Sequence, residues 1–222
     1  MEESMNKKKI IVFASGTKDG GGSGFEKLCL AVLAGILNAE IVAVVSNHEH
    51  GGVRTRAEKL GIPFIYMPGP WKDVDRSEDY KRIVEESGAE FVSLSGWLKL
   101  VSGLDDWTVF NIHPGPLPLF GGAGMYGHHV HEAVMEAYHR GEVTHSAVTM
   151  HFVDGAYDRG PSFFEYKVKI RPDDTAETLG ARLNAIEHEW QAVITNKVVS
   201  GEISWDGKNP EIAGKIVMTD EE

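Results

Sequence analysis

Hydrophobic and polar positions along this chain fall into short apolar runs separated by amphipathic stretches. Lys9 to Ala14, Ile41 to Val45, Pro63 to Met67, Phe91 to Leu94 and Thr108 to Ile112 are compact apolar runs. Between the earlier ones, Phe25 to Leu37, Val53 to Leu60 and Arg76 to Ser87 carry helical spacing, and Gly61 and Gly88 close the last two. Continuous apolar strands alternating with helices predict a mostly parallel sheet covered on both faces. The second half changes character. Val130 to Tyr138 reads as a helix, while Ser146 to Phe152 and Ser162 to Ile170 read as strands. The turn between those strands, Asp154 to Gly160, is rich in Gly and Asp and predicts antiparallel pairing. A last helix is expected from near Thr175 to about Ser200, with Asp174 as cap, Glu177 three residues on and Gly201 as the stop. After Trp205 the periodicity ends. With no internal repeat and no low-complexity linker, the chain is expected to form one domain over 8–203, with tails at 1–7 and 204–222.

The run Val109-Phe110-Asn111-Ile112-His113-Pro114 carries the clearest chemistry. It is followed by Pro116 and Pro118, so prolines stand at every second position. Proline cannot donate to a sheet ladder and disfavours helix at the residue before it, so the strand should end near His113. Side chains alternate faces along a strand, which puts Asn111 and His113 on one side, roughly 7 Å apart. An amide donor beside an imidazole at a strand's carboxyl end suits acyl transfer. The amide can stabilise an oxyanion and the imidazole can move a proton. Both residues also have ordinary structural uses, as a turn former and as a partner for a buried carbonyl.

Composition narrows the classes. The 222 residues carry a formal charge of −11, which argues against nucleic-acid or anionic-membrane partners, since both rest on basic patches. One cysteine, Cys29, excludes an internal disulfide and a cysteine zinc cluster, and its apolar setting predicts a small buried side chain. No stretch is apolar enough to span a membrane, and Met1 to Lys9 lacks the layout of a secretory signal, so a cytoplasmic location is expected.

Other segments hold possible sites. The loop Ser15 to Gly24 joins the first strand to the first helix and is either a flexible connection or an anion cradle of backbone amides. It matches neither a Walker loop nor a dinucleotide fingerprint, because no Lys follows its glycines and Phe25 stands at the last glycine's place. Asp158, in a Gly-rich turn, becomes functional only if the fold brings it to His113. His128, His129 and His131 lack metal-ligand spacing. Trp97, Leu98, Leu100 and Val101 are either core or the wall of a pocket, and Glu187 and His188 belong to the last helix.

Taken in order, these segments resemble the phosphoribosylglycinamide formyltransferase family. The matching stretches are Gly22-Ser23-Gly24, Val45-Ser46-Asn47, Arg56 to Pro63, Asn111-Ile112-His113-Pro114, His151-Phe152-Val153, Asp158-Arg159-Gly160-Pro161 and Glu187-His188. The likeness covers about residues 8 to 203. It implies a three-layer Rossmann-like α/β formyltransferase fold, its central sheet mostly parallel with an antiparallel portion in the C-terminal half. It also implies transfer of a formyl group from 10-formyltetrahydrofolate to the amine of glycinamide ribonucleotide, without a metal. Asn111 would then donate to the oxyanion, His113 act as general acid and base, and Asp158 hold His113 and a proton-relaying water. Gly22, Ser23 and Gly24 would hold the phosphate, and Glu187 the amine or ribose end. The folate would meet Leu98, Lys99, Leu100 and Val101 and the backbone of Asp154, Gly155, Ala156 and Tyr157, with Arg76 or Lys99 on its glutamate carboxylate. Partners would be these small molecules alone, for a monomer or homodimer.

Three departures from the family stand out. Thr17 to Gly21 looks inserted and Gly24 replaces an Asn; Lys99 replaces a common Arg; and Phe120 to Gly127 is longer than usual. A formyltetrahydrofolate hydrolase, an amino-sugar N-formyltransferase and a silent ligand-binding relative are the alternatives. The first two would share the Asn-His-Asp set.

Overall fold

A computed structural model describes residues 7–18, 20–209 and 211–220. Its centre is one eight-stranded sheet in the order β3-β2-β1-β4-β5-β6-β7-β8. Five parallel strands, β1 (Lys8–Phe13), β2 (Ala39–Ser46), β3 (Phe64–Tyr66), β4 (Phe91–Leu94) and β5 (Val109–His113), form one half. In the other half β6 (His145–Phe152) runs antiparallel to both β5 and β7 (Ser162–Lys169). The parallel half is buried on both faces, which is why its strands read as unbroken apolar runs.

Helices α1 (Ser23–Leu33), α2 (Gly52–Leu60) and α5 (Ala176–Val199) cover one face, where Phe25 and Leu28 pack on Ile10 and Val12. On the other face α3 (Ser77–Ser87) places Tyr80 and Ile83 against Ile11 and Phe13. Helix α4 (His128–His139) and α5 close a third cluster over β5, β6 and β7, centred on Phe110, Phe152 and Phe163. The result is the expected three-layer α/β architecture with a mostly parallel sheet. Cys29 is buried in the α1 cluster, and burial pushes its thiol up to about 12, which leaves it protonated and inert.

Three expectations are corrected. Helix α1 spans Ser23–Leu33 rather than Phe25 to Leu37, because Gly35 takes a left-handed φ of 74° and turns the chain toward β2. The cap of α5 is Thr175, which accepts from the Thr178 amide in a capping box. Asp174 instead accepts from the Thr178 hydroxyl and pairs with Arg182. Within the segment after Trp205, where a loose tail is expected, an edge strand forms. Ile216–Thr219 forms β8, pairing in parallel with β7 from Phe164 to Lys167, and Trp205 lies 5.8 Å from Phe152. Four residues of alternating pattern at a sheet edge leave too short a period to read from sequence.

Candidate active site

Parallel strands β1, β4 and β5 end on the same side of the sheet, and a cleft of about 540 Å³ opens there. Ligands bind in this position in open α/β sheets, where loops leaving the strand ends diverge. Pro114 ends β5 as expected, so Asn111 and His113 project into the cleft from the last residues of the strand. Asp158 reaches them from the β6–β7 turn, some forty-five positions later, with a φ of 53°.

The contacts fix the roles these groups can take. His113 is 3% exposed, and its Nε2 lies 2.7 Å from the Phe120 carbonyl, which only accepts; Nε2 therefore carries the proton. Its Nδ1 faces Asp158 Oδ2 at 3.7 Å. That is an ion-pair distance, too long for a direct hydrogen bond. Burial holds His113 below the usual imidazole range, against the opposing pull of the Asp158 charge and the Phe120 carbonyl. That direction suits a base, with Nδ1 as the atom that would take a proton. Burial pushes Asp158 the other way, but contacts from His151, His113 and the Gly122 amide outweigh it and hold the carboxyl below its ordinary range.

Sequence reasoning assigned no role to His151. It stands opposite Asn111 in the β5–β6 register. Its Nδ1 lies 2.7 Å from the Phe152 carbonyl, and its Nε2 lies 3.1 Å from Asn111 Nδ2 and 3.4 Å from Asp158 Oδ1. Asn111 Nδ2 also donates to Asp158 Oδ1 at 3.4 Å. The oxyanion donor is thus held by an imidazole and a carboxylate. Strand alternation was the signal that could have found His151, once antiparallel pairing opposite Asn111 was assumed.

The long Phe120 to Gly127 segment does more than frame the mouth. Gly122 N donates to Asp158 Oδ2 at 3.0 Å, and Gly122 to Gly127 line the cleft. A Cβ on Gly121 would sit 2.9 Å from the Asp158 Cβ, so a glycine is required there. Opposite, Gly22 precedes α1 with a φ of 80° and no side chain caps the helix. The first amides of an eleven-residue helix therefore open beside the cleft, with Ser23 Oγ 3.2 Å from His188 Nε2. Free amides at a helix start favour an anion. The inserted loop folds back on itself through Thr17 N to Gly20 O at 2.9 Å, while Asp19 lies outside the described residues. Glu187 enters from α5, and burial raises its carboxyl to about 7.

The structure thus gathers Asn111, His113, Asp158, Gly22, Ser23, Gly24 and Glu187 around one cleft, together with Leu98 and Tyr157. The other residues expected at the folate do not line it. Val101 is buried in the core, and the Leu100 carbonyl accepts from Tyr80 OH at 2.9 Å. Arg76 is spent on Asp79 and on the carbonyls of Pro68 and Pro70, with its guanidinium 4.7 Å above Trp71. Lys99 Nζ lies 5.8 Å from the centroid of the same ring. Asp154 accepts from Ala156 N within its own turn, which also holds Gly155. Among the described residues, no group of three or more His, Cys, Asp or Glu is placed to hold a metal ion. His128 and His129 face Glu132 instead.

A family model described as "Formyl transferase" matches residues 8–195. The chain belongs to the formyl transferase family. It is 32% identical over 206 residues to the chloroplastic phosphoribosylglycinamide formyltransferase of Arabidopsis thaliana, covering 90% of this chain and 68% of that one. Against the phosphoribosylglycinamide formyltransferase of Bacillus subtilis it is 29% identical, with 86% and 95% covered. The solved structure of the Coxiella burnetii phosphoribosylglycinamide formyltransferase superposes with a TM-score of 0.79 at 26% identity, covering 94% and 95%. The family match ends at 195, so β8 and the segment leading to it lie beyond it.

Proposed function

We propose that this chain transfers the formyl group of 10-formyltetrahydrofolate to the amine of glycinamide ribonucleotide, in purine biosynthesis. The meeting of Asn111, His113 and Asp158 in a cleft that also contains an uncapped helix start carries this reading. The first three suit acyl transfer to an amine, and the helix start suits a phosphate on that amine's carrier. The relatives named above add to it.

In the reaction the acceptor amine attacks the formyl carbon, forming a new C–N bond and a tetrahedral oxyanion. An Asn111 N–H, turned from its resting partners, donates to that oxygen. Neutral His113 takes the proton released by the attacking nitrogen, and as imidazolium it gains the charge of Asp158, 3.7 Å away. The proton then passes to the folate nitrogen as its C–N bond breaks, releasing tetrahydrofolate. Tyr157 and Leu98 line the cleft where the pterin would enter, and Glu187 serves the amine or ribose end. Folate enters as co-substrate, and the site residues alone supply the electrostatics.

The test is donor turnover with and without the acceptor. Tetrahydrofolate should form only when glycinamide ribonucleotide and the formyl donor are both present. Donor consumption indifferent to the ribonucleotide, with release of formate, would overturn the reading in favour of hydrolysis.

A further inference from the structure

Gly24, the second residue of α1, is walled in by polar groups. A Cβ at this position would lie 2.2 Å from Ser95 Oγ and 3.0 Å from Gln191 Oε1. Ser95 follows β4 and is 8% exposed; Gln191, on α5, is 2% exposed. Gln191 Nε2 donates to Ser95 Oγ at 3.0 Å, and the hydroxyl lies 3.4 Å from Gln191 Oε1. Two apolar side chains would fill this space without the cost of burying an amide. A buried amide also brings two protons. Among the described residues only one of the Nε2 protons has a protein acceptor, Ser95 Oγ.

The pair also borders the ligand space. Both residues line the main cleft, beside Gly22, Ser23 and His188. Gln191 stands four residues after Glu187 on the same helix, so the two share a face. Glu187 and the start of α1 line the same cleft as Gln191. Position 24 itself has no room for a polar side chain while Ser95 and Gln191 occupy their places.

We propose that Ser95 and Gln191 form a substrate-reading pair under the glycine loop. Ser95 fixes the amide, and its remaining proton donates to an oxygen of the anionic group bound at the start of α1. The ligand class is a phosphate monoester, and the contact is one that position 24 cannot supply. The inference rests on the phosphate-bearing acceptor proposed above.

Gln191→Leu keeps the shape and removes the amide. It should raise the KM for glycinamide ribonucleotide about tenfold, with kcat and the KM for the formyl donor within about twofold. A purely structural role would lower the unfolding temperature and move both KM values together; that result, or an unchanged ribonucleotide KM, overturns the proposal. A second arm uses the crowding at position 24. Gly24→Asn alone should weaken ribonucleotide binding at least tenfold, whereas in a Ser95→Ala/Gln191→Ala background the same change should strengthen it. Equal damage in both backgrounds contradicts the pair's part in the site. Calorimetry with inorganic phosphate separates this inference from the acceptor assignment. If wild type shows no turnover on the ribonucleotide, the acceptor assignment fails. Weaker phosphate binding by Gln191→Leu than by wild type would still support the pair, and equal binding would sink it.

Discussion

At the scale of single residues, the site is governed by which partner each polar atom already has. Asn111 and His113 were legible because a strand running into Pro114 dictates where it stops and which side chains share a face. Asp158 was legible as a partner only through the family resemblance, and His151 was missed, because both reach them through pairing and turn geometry rather than through spacing. Asp158 holds Asn111 directly and stands off from His113, so its removal should disturb two groups at once. It also supplies one of the influences that raise the His113 pKa, so Asp158→Asn should move that imidazole further below the usual range, read from its NMR titration. An unchanged or higher value would contradict the electrostatics. Glu187 gives a second pH signature. Its folded carboxyl lies near 7 and its ordinary value near 4.5, so the folded state holds a proton that the unfolded chain loses between those values. Its stabilising contribution is complete below about 4.5 and disappears as pH rises through about 7. Glu187→Gln should therefore gain unfolding temperature over wild type at pH 8 relative to pH 5. A parallel shift at both values would refute this.

At the scale of elements, alternating apolar runs and helical spacing were sufficient to read seven strands and five helices. Boundaries suffered where a side-chain contact decided them. The α5 cap passed from Asp174 to Thr175 because the capping box closes on Thr178, while Asp174 turns to Arg182. Thr175→Ala should cost about 1 kcal/mol in chemical denaturation, a typical loss for such a cap. The β6–β7 turn is a stricter case. A Cβ at Gly160 would lie 1.9 Å from the Phe152 carbonyl oxygen, which is a backbone atom with nowhere to go. Gly160→Ala should therefore shift the turn that carries Asp158, lowering kcat at least tenfold even where the protein still folds. Wild-type turnover in that variant would show that the turn does not position the acid.

At the scale of the whole molecule, a parallel half-sheet provides the diverging strand ends, and an antiparallel half returns the chain so that distant residues meet at them. The formyl transferase match stops at 195, yet β8 seals the outer edge of β7 and Trp205 packs near Phe152, on the strand that carries His151. A chain ended at Ile203 should leave that edge unpaired and aggregate more readily on heating, as light scattering would show. Unchanged scattering and unfolding temperature would make β8 dispensable. The central claim is that a carboxylate, an imidazole and an amide from separate segments act together on the formyl group. Single-turnover rates with the ribonucleotide and formyl donor prebound test this most directly in Asp158→Asn and His113→Ala. The account predicts a fall of at least about a hundredfold in each, with ribonucleotide affinity nearly unchanged. A near-normal rate in either variant would contradict it.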